Sequence, residues 1–129
     1  MAKWKVLCCG DRNWNDWKPI NSVLEELKSP TRDIVVIHGK ARGADSMCGF
    51  IANKLGYEVK EYKADWEQYG KAAGPIRNRQ MLQEHKTDEP IQEVIAFHDD
   101  IEQSKGTKNM IEQAQKHGIR VRLITSDSY

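Results

Sequence analysis

The chain has 129 residues, which suits one domain with a single core, and its 20 Lys and Arg against 19 Asp and Glu give a net charge of +1. This near-balance argues against nucleic acid as the partner, and no apolar run approaches transmembrane length, so we expect no membrane contact. Three cysteines, two of them adjacent, and a first strand that alternates Lys with apolar residues in place of a signal peptide predict a reduced, cytoplasmic setting.

Apolar runs that predict strands alternate along the chain with segments whose apolar residues recur at helical spacing. We predict five strands, at Trp4–Gly10, Asp33–His38, Tyr57–Lys63, Glu93–Phe97 and Ile119–Ile124. Between the first two strands we predict a helix through Ile20, Val23, Leu24 and Leu27, after a cap at Asn15 or Asp16. The three later helices run from Ala44 to Leu55, closed by Gly56, from Pro75 to about Glu84, and from Thr107 to His117, ended by Gly118.

This alternation of strands and helices predicts a mainly parallel sheet of about five strands that is covered by helices on both faces. The right-handed crossover rule limits such a chain to a doubly wound topology. We therefore predict an α/β fold, a Rossmann-like three-layer α/β/α sandwich, as a single nucleotide-binding domain over residues 1–129.

The loops that follow the strands carry the most informative residues of the chain. They read CGDRNWND, HGKARGADS, ADWEQYGKAAGPIRN and HDDIEQSKGTKN, and in a parallel sheet all four lie at the carboxyl edge, where ligands bind. The third loop is longer than usual for such a connection, which is typical of a functional loop.

Three of these loops lead into a helix with Gly and a cation at its start, although a cation there is unfavourable by roughly 0.3–1 kcal/mol. Arg77 is the clearest case, because it follows Gly74 and Pro75 at the opening of the third predicted helix. Lys40, Lys108 and the loop cation Arg12 add further positive charge. The arrangement predicts a shared site for the phosphate of a ligand, since glycines let backbone N–H groups approach an anion closely.

The predicted ligand-binding residues lie in all four loops. They are Gly10, Arg12, Trp14, His38, Gly39, Arg42, Gly43, Ala44, Asp45, Trp66, Gly74, Arg77, Asn78, Ser104, Lys105, Gly106 and Thr107. No standard phosphate motif is present, because HGKARGAD lacks the ending of a P-loop and CGDRNW is not GxGxxG. We predict no metal site, since the chain has no HxxxH or CxxC spacing, although His38 and His98 both close strands.

The strings GDRNW, HGKARGAD, ADWEQYGKAAGPIRNRQM and SKGTKNMIEQAQKHGIRV resemble the YspA-like, cpYpsA-related branch of the SLOG superfamily. That superfamily also includes the LOG phosphoribohydrolases and the DNA-processing protein DprA. The resemblance covers nearly the whole chain and implies a Rossmann-like domain that binds a nucleotide or nucleotide-derived ligand. It also implies a homo-oligomer.

LOG enzymes release a base from a nucleoside monophosphate with an Arg in a motif like RNRQM and a Glu in PGGxGTxxE. Arg77 and Met81 match the first motif, and Gly106 and Thr107 match part of the second. The position of the Glu holds Met110, and Glu112 lies two residues later, on a different part of the helix surface. The resemblance therefore favours ligand binding over LOG-type hydrolysis.

Two further roles stay open at this level. Asp45 is either a general acid or base beside the bound sugar, or a helix cap or partner of Arg42. Trp14, Trp66 and Tyr69 either stack on a base, cover the core beneath a long loop, or lie in a subunit contact.

We expect a binding protein for a small nucleotide-derived molecule, acting as a sensor, carrier or sequestering protein, with no certain cofactor. The alternatives are a nucleotide hydrolase in which Asp45 and Arg77 are catalytic, and DprA-like binding of single-stranded DNA, whose affinity would fall steeply with salt.

Overall fold

The computed structural model describes residues 3–127, and within that range five strands form one fully parallel sheet in the order β3-β2-β1-β4-β5. The strands are β1 (Lys3–Gly10), β2 (Asp33–His38), β3 (Glu58–Glu61), β4 (Ile91–Phe97) and β5 (Val121–Ile124). The helices of the same range are α1 (Trp17–Glu26), α2 (Ala44–Lys54), α3 (Trp66–Tyr69), α4 (Ala73–Leu82) and α5 (Gly106–Lys116), with 3₁₀ turns at Gly70–Ala72, Gln83–Lys86 and Ile101–Gln103. No helix in residues 3–127 is long and apolar enough to cross a membrane.

The sheet has a hydrophobic core on each face, because successive side chains of a strand point to opposite sides. Val6 and Cys8 of β1 pack into the core beneath α1 and α2, to which α1 contributes Ile20 and Leu24. Leu7 and Cys9 face the other way, into the core beneath α4 and α5, whose buried residues there are Met81, Leu82, Met110 and Ala114. The predicted three-layer α/β/α sandwich is thereby confirmed.

Several element ends differ from the prediction. β3 is limited to Glu58–Glu61, and β5 begins at Val121 because Ile119 belongs to the turn after α5. The long third loop contains the unpredicted helix α3 and a 3₁₀ turn that runs directly into α4. Pro75 is therefore the third residue of α4, where the missing N–H still costs no intrahelical hydrogen bond.

The sheet order reverses at β1, which lies between β2 and β4, and this is the crevice where ligands bind in such folds. The residue that ends β1 must be small there. A Cβ on Gly10 would lie 2.3 Å from the carbonyl oxygen of Phe97 and 2.7 Å from the Cβ of Ala44. Gly10 thus lets β1, β4 and the start of α2 converge below the crevice.

Candidate functional site

A cavity of about 810 Å³ opens at this crevice, between the loops after β1 and β4 and the starts of α4 and α5. Its volume is in the range of sites that bind small organic ligands. The predicted site residues that line it are Gly10, Arg12, Asp45, Trp66, Gly74, Arg77, Asn78, Ser104, Lys105, Gly106 and Thr107. The structure therefore brings together residues that lie up to about a hundred positions apart in the chain.

Among the described residues, four cations and two carboxylates, Asp11 and Asp45, line the cavity. The cations are Arg12, Lys71, Arg77 and Lys105. Among residues 3–127, no ion pair involves Arg12, Lys71 or Lys105, whose side chains are exposed. The cavity consequently has excess positive charge, although the whole chain is nearly neutral.

Two other cations of these loops, which were expected at the phosphate site, form ion pairs outside the cavity. Lys40 lies 3.3 Å from a carboxylate oxygen of Glu61, and Lys108 lies 3.0 Å from one of Glu102. Neither lines the cavity.

The amino terminus of α5 lines the cavity, and one backbone donor there, the N–H of Gly106, is unused among residues 3–127. Ser104 Oγ accepts the N–H of Thr107 at 3.0 Å, and the carbonyl of Lys105 accepts the N–H of Asn109 at 3.0 Å. Within residues 3–127, the N–H groups of Gly106 and Lys108 have no hydrogen-bond acceptor outside the helix, as expected for a first turn. Such N–H groups, at the positive end of the helix dipole, are suited to bind an anion.

Asn78, in the middle of α4, joins that helix to the start of α5. Its Nδ2 donates to the carbonyl of Gly106 at 3.3 Å and to Oδ1 of Asn109 at 3.1 Å, and its Oδ1 accepts Nε–H of Arg77 at 3.2 Å. Asn78 is buried, and both ends of its amide are engaged. It therefore acts as a positioning residue for the start of α5 and for Arg77, a role that its place in RNRQM did not reveal.

Arg77 extends from α4 across the cavity floor toward the loop after β2. Its Nη1 donates to the carbonyl oxygen of Gly39 at 2.9 Å. A Cβ on Gly39 would lie 2.7 Å from Cδ of Arg77, so the absence of a side chain there admits the arginine. Burial lowers the pKa of Arg77, an effect that Asp45 and Cys9 oppose and the nearby Arg12 reinforces. With two of its five N–H donors used, the guanidinium keeps others for a ligand.

Asp45 lies beside this guanidinium and is only 4% exposed. Its Oδ2 accepts the N–H of Gly39 at 3.0 Å, and the N–H groups of Ala41 and Gly10 also point to the carboxylate. Burial raises the pKa of Asp45 to about 6, although Arg77 and these N–H groups favour the ionised form. The anion held by the loop HGKARGAD is therefore this internal carboxylate.

That arrangement corrects the expected role of the start of α2. The N–H of Ala44 donates to the carbonyl of Asp11 at 3.0 Å, and the N–H of Ser46 donates to that of Ala41 at 3.1 Å. Arg42, Gly43 and Ala44 do not line the cavity. Arg42 donates to Oδ1 of Asn13 at 3.4 Å, and Gly43 caps α2, so Asp45 is neither the cap of that helix nor the partner of Arg42.

His38, Gly39 and Trp14 also lie outside the cavity lining. His38 is buried against Gly49 of α2, and its Nδ1 accepts the N–H of Lys40 at 2.9 Å. Trp14 belongs to the core, where its ring meets that of Phe97 edge-on at 5.9 Å between centroids and its indole N–H donates to the carbonyl of Asp16 at 2.6 Å. Trp14 is therefore a core residue, and its ring is not available to stack on the base of a ligand in the cavity.

Trp66 differs from Trp14, because 53% of its surface is exposed and its ring lines the cavity. Its Cη2 atom would lie 3.5 Å from a Cβ on Gly74, so the ring stands over the start of α4. Tyr69, from the same loop, is exposed but outside the lining.

Sequence reasoning missed Lys71 and Asn109 as cavity residues, and it gave His98 only a structural role. The length of the third loop was the one signal that pointed to Lys71. Met110 is buried and lines the cavity where LOG enzymes have a Glu, whereas Glu112 is exposed elsewhere on α5. Within residues 3–127, no three His, Cys, Asp or Glu side chains are grouped as metal ligands.

Comparison with solved structures supports the fold. The chain is similar to DNA processing protein A (DprA) from Streptococcus pneumoniae, with a TM-score of 0.73 and 18% sequence identity. The match covers 97% of this chain and 51% of that one, so the chain spans about half the length of DprA. At this identity the likeness shows the fold alone.

Sequence comparisons identify the family. The chain is 34% identical to Gene 61 protein of Mycobacterium phage D29 over 123 residues, which cover 91% of this chain and 93% of that relative. A family model for the YspA, cpYpsA-related SLOG family (YAcAr) matches residues 4–69. These matches confirm the resemblance carried by the loop motifs, and the chain belongs to the YspA, cpYpsA-related SLOG family.

Proposed function

We propose that the cavity binds a nucleotide or nucleotide-derived ligand and that the protein acts as a sensor, carrier or sequestering protein for it. The phosphate lies at the amino terminus of α5, in contact with the N–H of Gly106 and the guanidinium of Arg77. The observation that carries this proposal is that, among residues 3–127, the start of α5 with the free N–H of Gly106 and four cations line one concave space.

The charges of the cavity support an anionic ligand over a neutral one. Arg12, Lys71 and Lys105 lack acidic partners among the described residues, and with Arg77 they leave two positive charges in excess when both carboxylates are ionised. Cations held close together without partners repel each other, and a bound anion relieves that repulsion. Trp66 offers an exposed ring on the same cavity, which suits a ligand with a base.

Isothermal titration calorimetry with AMP, ribose 5-phosphate and adenosine tests the proposal. We expect both phosphate compounds to bind and adenosine to bind at least tenfold more weakly than AMP. Arg77→Met should weaken AMP binding by at least tenfold. Arg79→Met is the matched control, because Arg79 is an exposed arginine two residues further along α4 that does not line the cavity.

The proposal is overturned if none of the phosphate compounds binds, or if Arg77→Met binds AMP as well as Arg79→Met does. Thermal unfolding of each variant shows whether the fold is retained, since Arg77 also donates to Gly39. A Lys105→Ala variant provides a second measurement, because Lys105 is exposed and its side chain forms no ion pair among residues 3–127, while its carbonyl bond to Asn109 is kept by any residue. We expect it to weaken AMP binding about threefold to tenfold.

A second candidate function is hydrolysis of the bound nucleotide, which the position of Asp45 favours. A carboxyl in the cavity with a pKa of about 6 can exchange a proton near neutral pH, as a general acid must. Incubation with AMP and detection of free adenine or phosphate tests this function. Turnover that is lost in Asp45→Asn supports hydrolysis, and absence of product from the wild-type protein leaves binding as the function.

A further inference from the structure

A second concave surface lies beside the cavity. This groove, of about 580 Å³, is lined by residues that include Trp14, Arg42, Met47 and Phe50. Arg12 and Asn13 line both the cavity and the groove, so they form a ridge between the two. The proposed function makes no use of the groove.

The ridge is held rigidly by the backbone. Oδ1 of Asp11 accepts the N–H of Asn13 at 2.9 Å, and the carbonyl of Asp11 accepts the N–H of Trp14 at 3.1 Å and that of Ala44 at 3.0 Å. The buried ring of Trp14 fixes the end of this turn in the core. Arg12 and Asn13 are thereby presented at a fixed place, with exposed side chains between the cavity and the groove.

The groove combines apolar surface with positive charge. Phe50 is 64% exposed, and Nζ of Lys54 lies 5.2 Å from the centre of its ring. Among residues 3–127, Arg12 and Arg42 form no ion pair, and Arg42 has only a 3.4 Å contact with Asn13. An exposed aromatic ring next to unpaired cations suits a planar ring that is attached to an anion.

We propose that the ligand is a dinucleotide, that is, two nucleosides joined through phosphate, with one half in the cavity and the other in the groove. The phosphate linker crosses the ridge at Arg12, and the second ring stacks on Phe50 and Met47. This inference rests on the proposed function of the cavity and deepens it. Continuity of the two surfaces through Arg12 and Asn13, and the cations on both sides, favour this occupant over a purely apolar partner.

Calorimetry with two probes tests the inference: AMP, which fills the cavity alone, and P1,P2-di(adenosine-5′) diphosphate, which has a second adenosine. We expect the dinucleotide to bind at least tenfold more tightly than AMP. Phe50→Ala should abolish that advantage and leave AMP binding unchanged. Leu123→Ala is the matched control, because Leu123 is an exposed apolar residue of β5 that lines neither surface.

The outcomes separate this inference from the proposed function. If AMP binds but the dinucleotide binds no better, or Phe50→Ala leaves its affinity unchanged, the inference is overturned and the cavity proposal stands. If neither probe binds, both are overturned. Light scattering adds a further readout: if Phe50→Ala converts a dimer into a monomer without loss of dinucleotide affinity, the groove is a contact between two copies of the chain and the inference is overturned.

Discussion

Arg77 and Asp45 both form hydrogen bonds with the backbone of Gly39, Arg77 with its carbonyl and Asp45 with its N–H. The guanidinium of Arg77 donates to the carbonyl oxygen of Gly39 at 2.9 Å, and the N–H of Gly39 donates to Oδ2 of Asp45 at 3.0 Å. The main cation and the main acid of the cavity are therefore fixed relative to each other by the loop after β2. Because the pKa of Asp45 is raised to about 6 by burial, the charge that a ligand meets depends on pH.

The first prediction concerns the pH dependence of ligand binding. Protonation of Asp45 removes a negative charge from the cavity, so an anion should bind more tightly as pH falls from 7.5 to 5. ADP-ribose is a suitable probe because it has no phosphate monoester, whose second pKa of about 6 would interfere. We expect about a tenfold gain in wild-type affinity, which corresponds to a shift of about one unit in the pKa of Asp45 on binding.

Asp45→Asn is the control for this pH effect, since the amide keeps a similar shape and has no charge to lose. Its affinity for ADP-ribose should change less than threefold across the same range in calorimetric titrations. A pH profile that is identical in the two proteins would contradict the assignment of the effect to Asp45.

The second prediction concerns Glu84, which follows α4 at the opposite edge of the sheet. Burial alone would raise the pKa of its carboxyl, but hydrogen bonds from Tyr62, Lys5 and Lys60 lower it to about 2. Lys5 is buried, and its Nζ lies 2.9 Å from Oε1 of Glu84. Glu84→Gln should therefore reduce the free energy of unfolding by about 3 kcal/mol at pH 7, because it leaves a buried ammonium without its partner.

This stabilisation has a definite pH window. The folded-state pKa of Glu84 lies below the ordinary value of 4.5, so its contribution is complete above pH 4.5 and is lost as pH falls toward 2. Urea unfolding of both proteins at several pH values should show their difference shrinking over that range. Glu58→Gln is the control, because the ion pair of Glu58 with Lys3 is exposed and should contribute little to stability. If Glu58→Gln and Glu84→Gln reduce the free energy of unfolding equally, burial does not explain the effect of Glu84.

The third prediction compares two glycines with nearly equal φ angles. Gly43 has a φ of +81° and Gly56 a φ of +82°, but a Cβ on Gly43 would lie 2.4 Å from the carbonyl groups of Asp11 and Arg12, whereas one on Gly56 meets open space. Gly56→Ala should cost about 1 kcal/mol through the left-handed conformation alone. Gly43→Ala should cost at least about 2 kcal/mol more in urea unfolding, and equal losses would show that the two loops are not held in close contact.

The fourth prediction concerns Trp66. If its exposed ring stacks on the base of the ligand, Trp66→Ala should weaken AMP binding by about tenfold, in line with a stacking contribution of about 1–3 kcal/mol. Ribose 5-phosphate, which has no base, should bind the variant and the wild-type protein equally. Trp17→Ala is the control, because Trp17 is 55% exposed but lies outside the cavity. Equal losses for the two ligands would assign Trp66 to shaping the loop.

The fold could be predicted from the sequence because it depends on patterns that repeat locally. The β-branched run Asp33–His38 is a buried strand in the structure with the same bounds, and the stripe from Ala44 to Leu55 is α2. Where the apolar pattern is weaker, the predicted ends of the strands and helices differ from those in the structure. Helix α3, of four residues, contributes nothing to the buried core, so it leaves no apolar period in the sequence.

The site could be predicted only in part, because residue types do not show which backbone N–H groups are already used in hydrogen bonds within the protein. Gly43 and Arg42 fit an anion site by composition, but the N–H of Ala44 is already used by Asp11, and the carboxylate of Asp45 occupies the loop. The start of α5 also has a glycine and a cation, and there Ser104 Oγ accepts the N–H of Thr107, whereas the N–H of Gly106 has no acceptor among residues 3–127.

A crystal structure of the protein with AMP would test the central claim most directly. We predict phosphate density at the amino terminus of α5, with a phosphate oxygen within hydrogen-bond distance of both the N–H of Gly106 and the guanidinium of Arg77. Phosphate bound at the start of α2 beside Gly43, or on a surface away from the cavity, would contradict it.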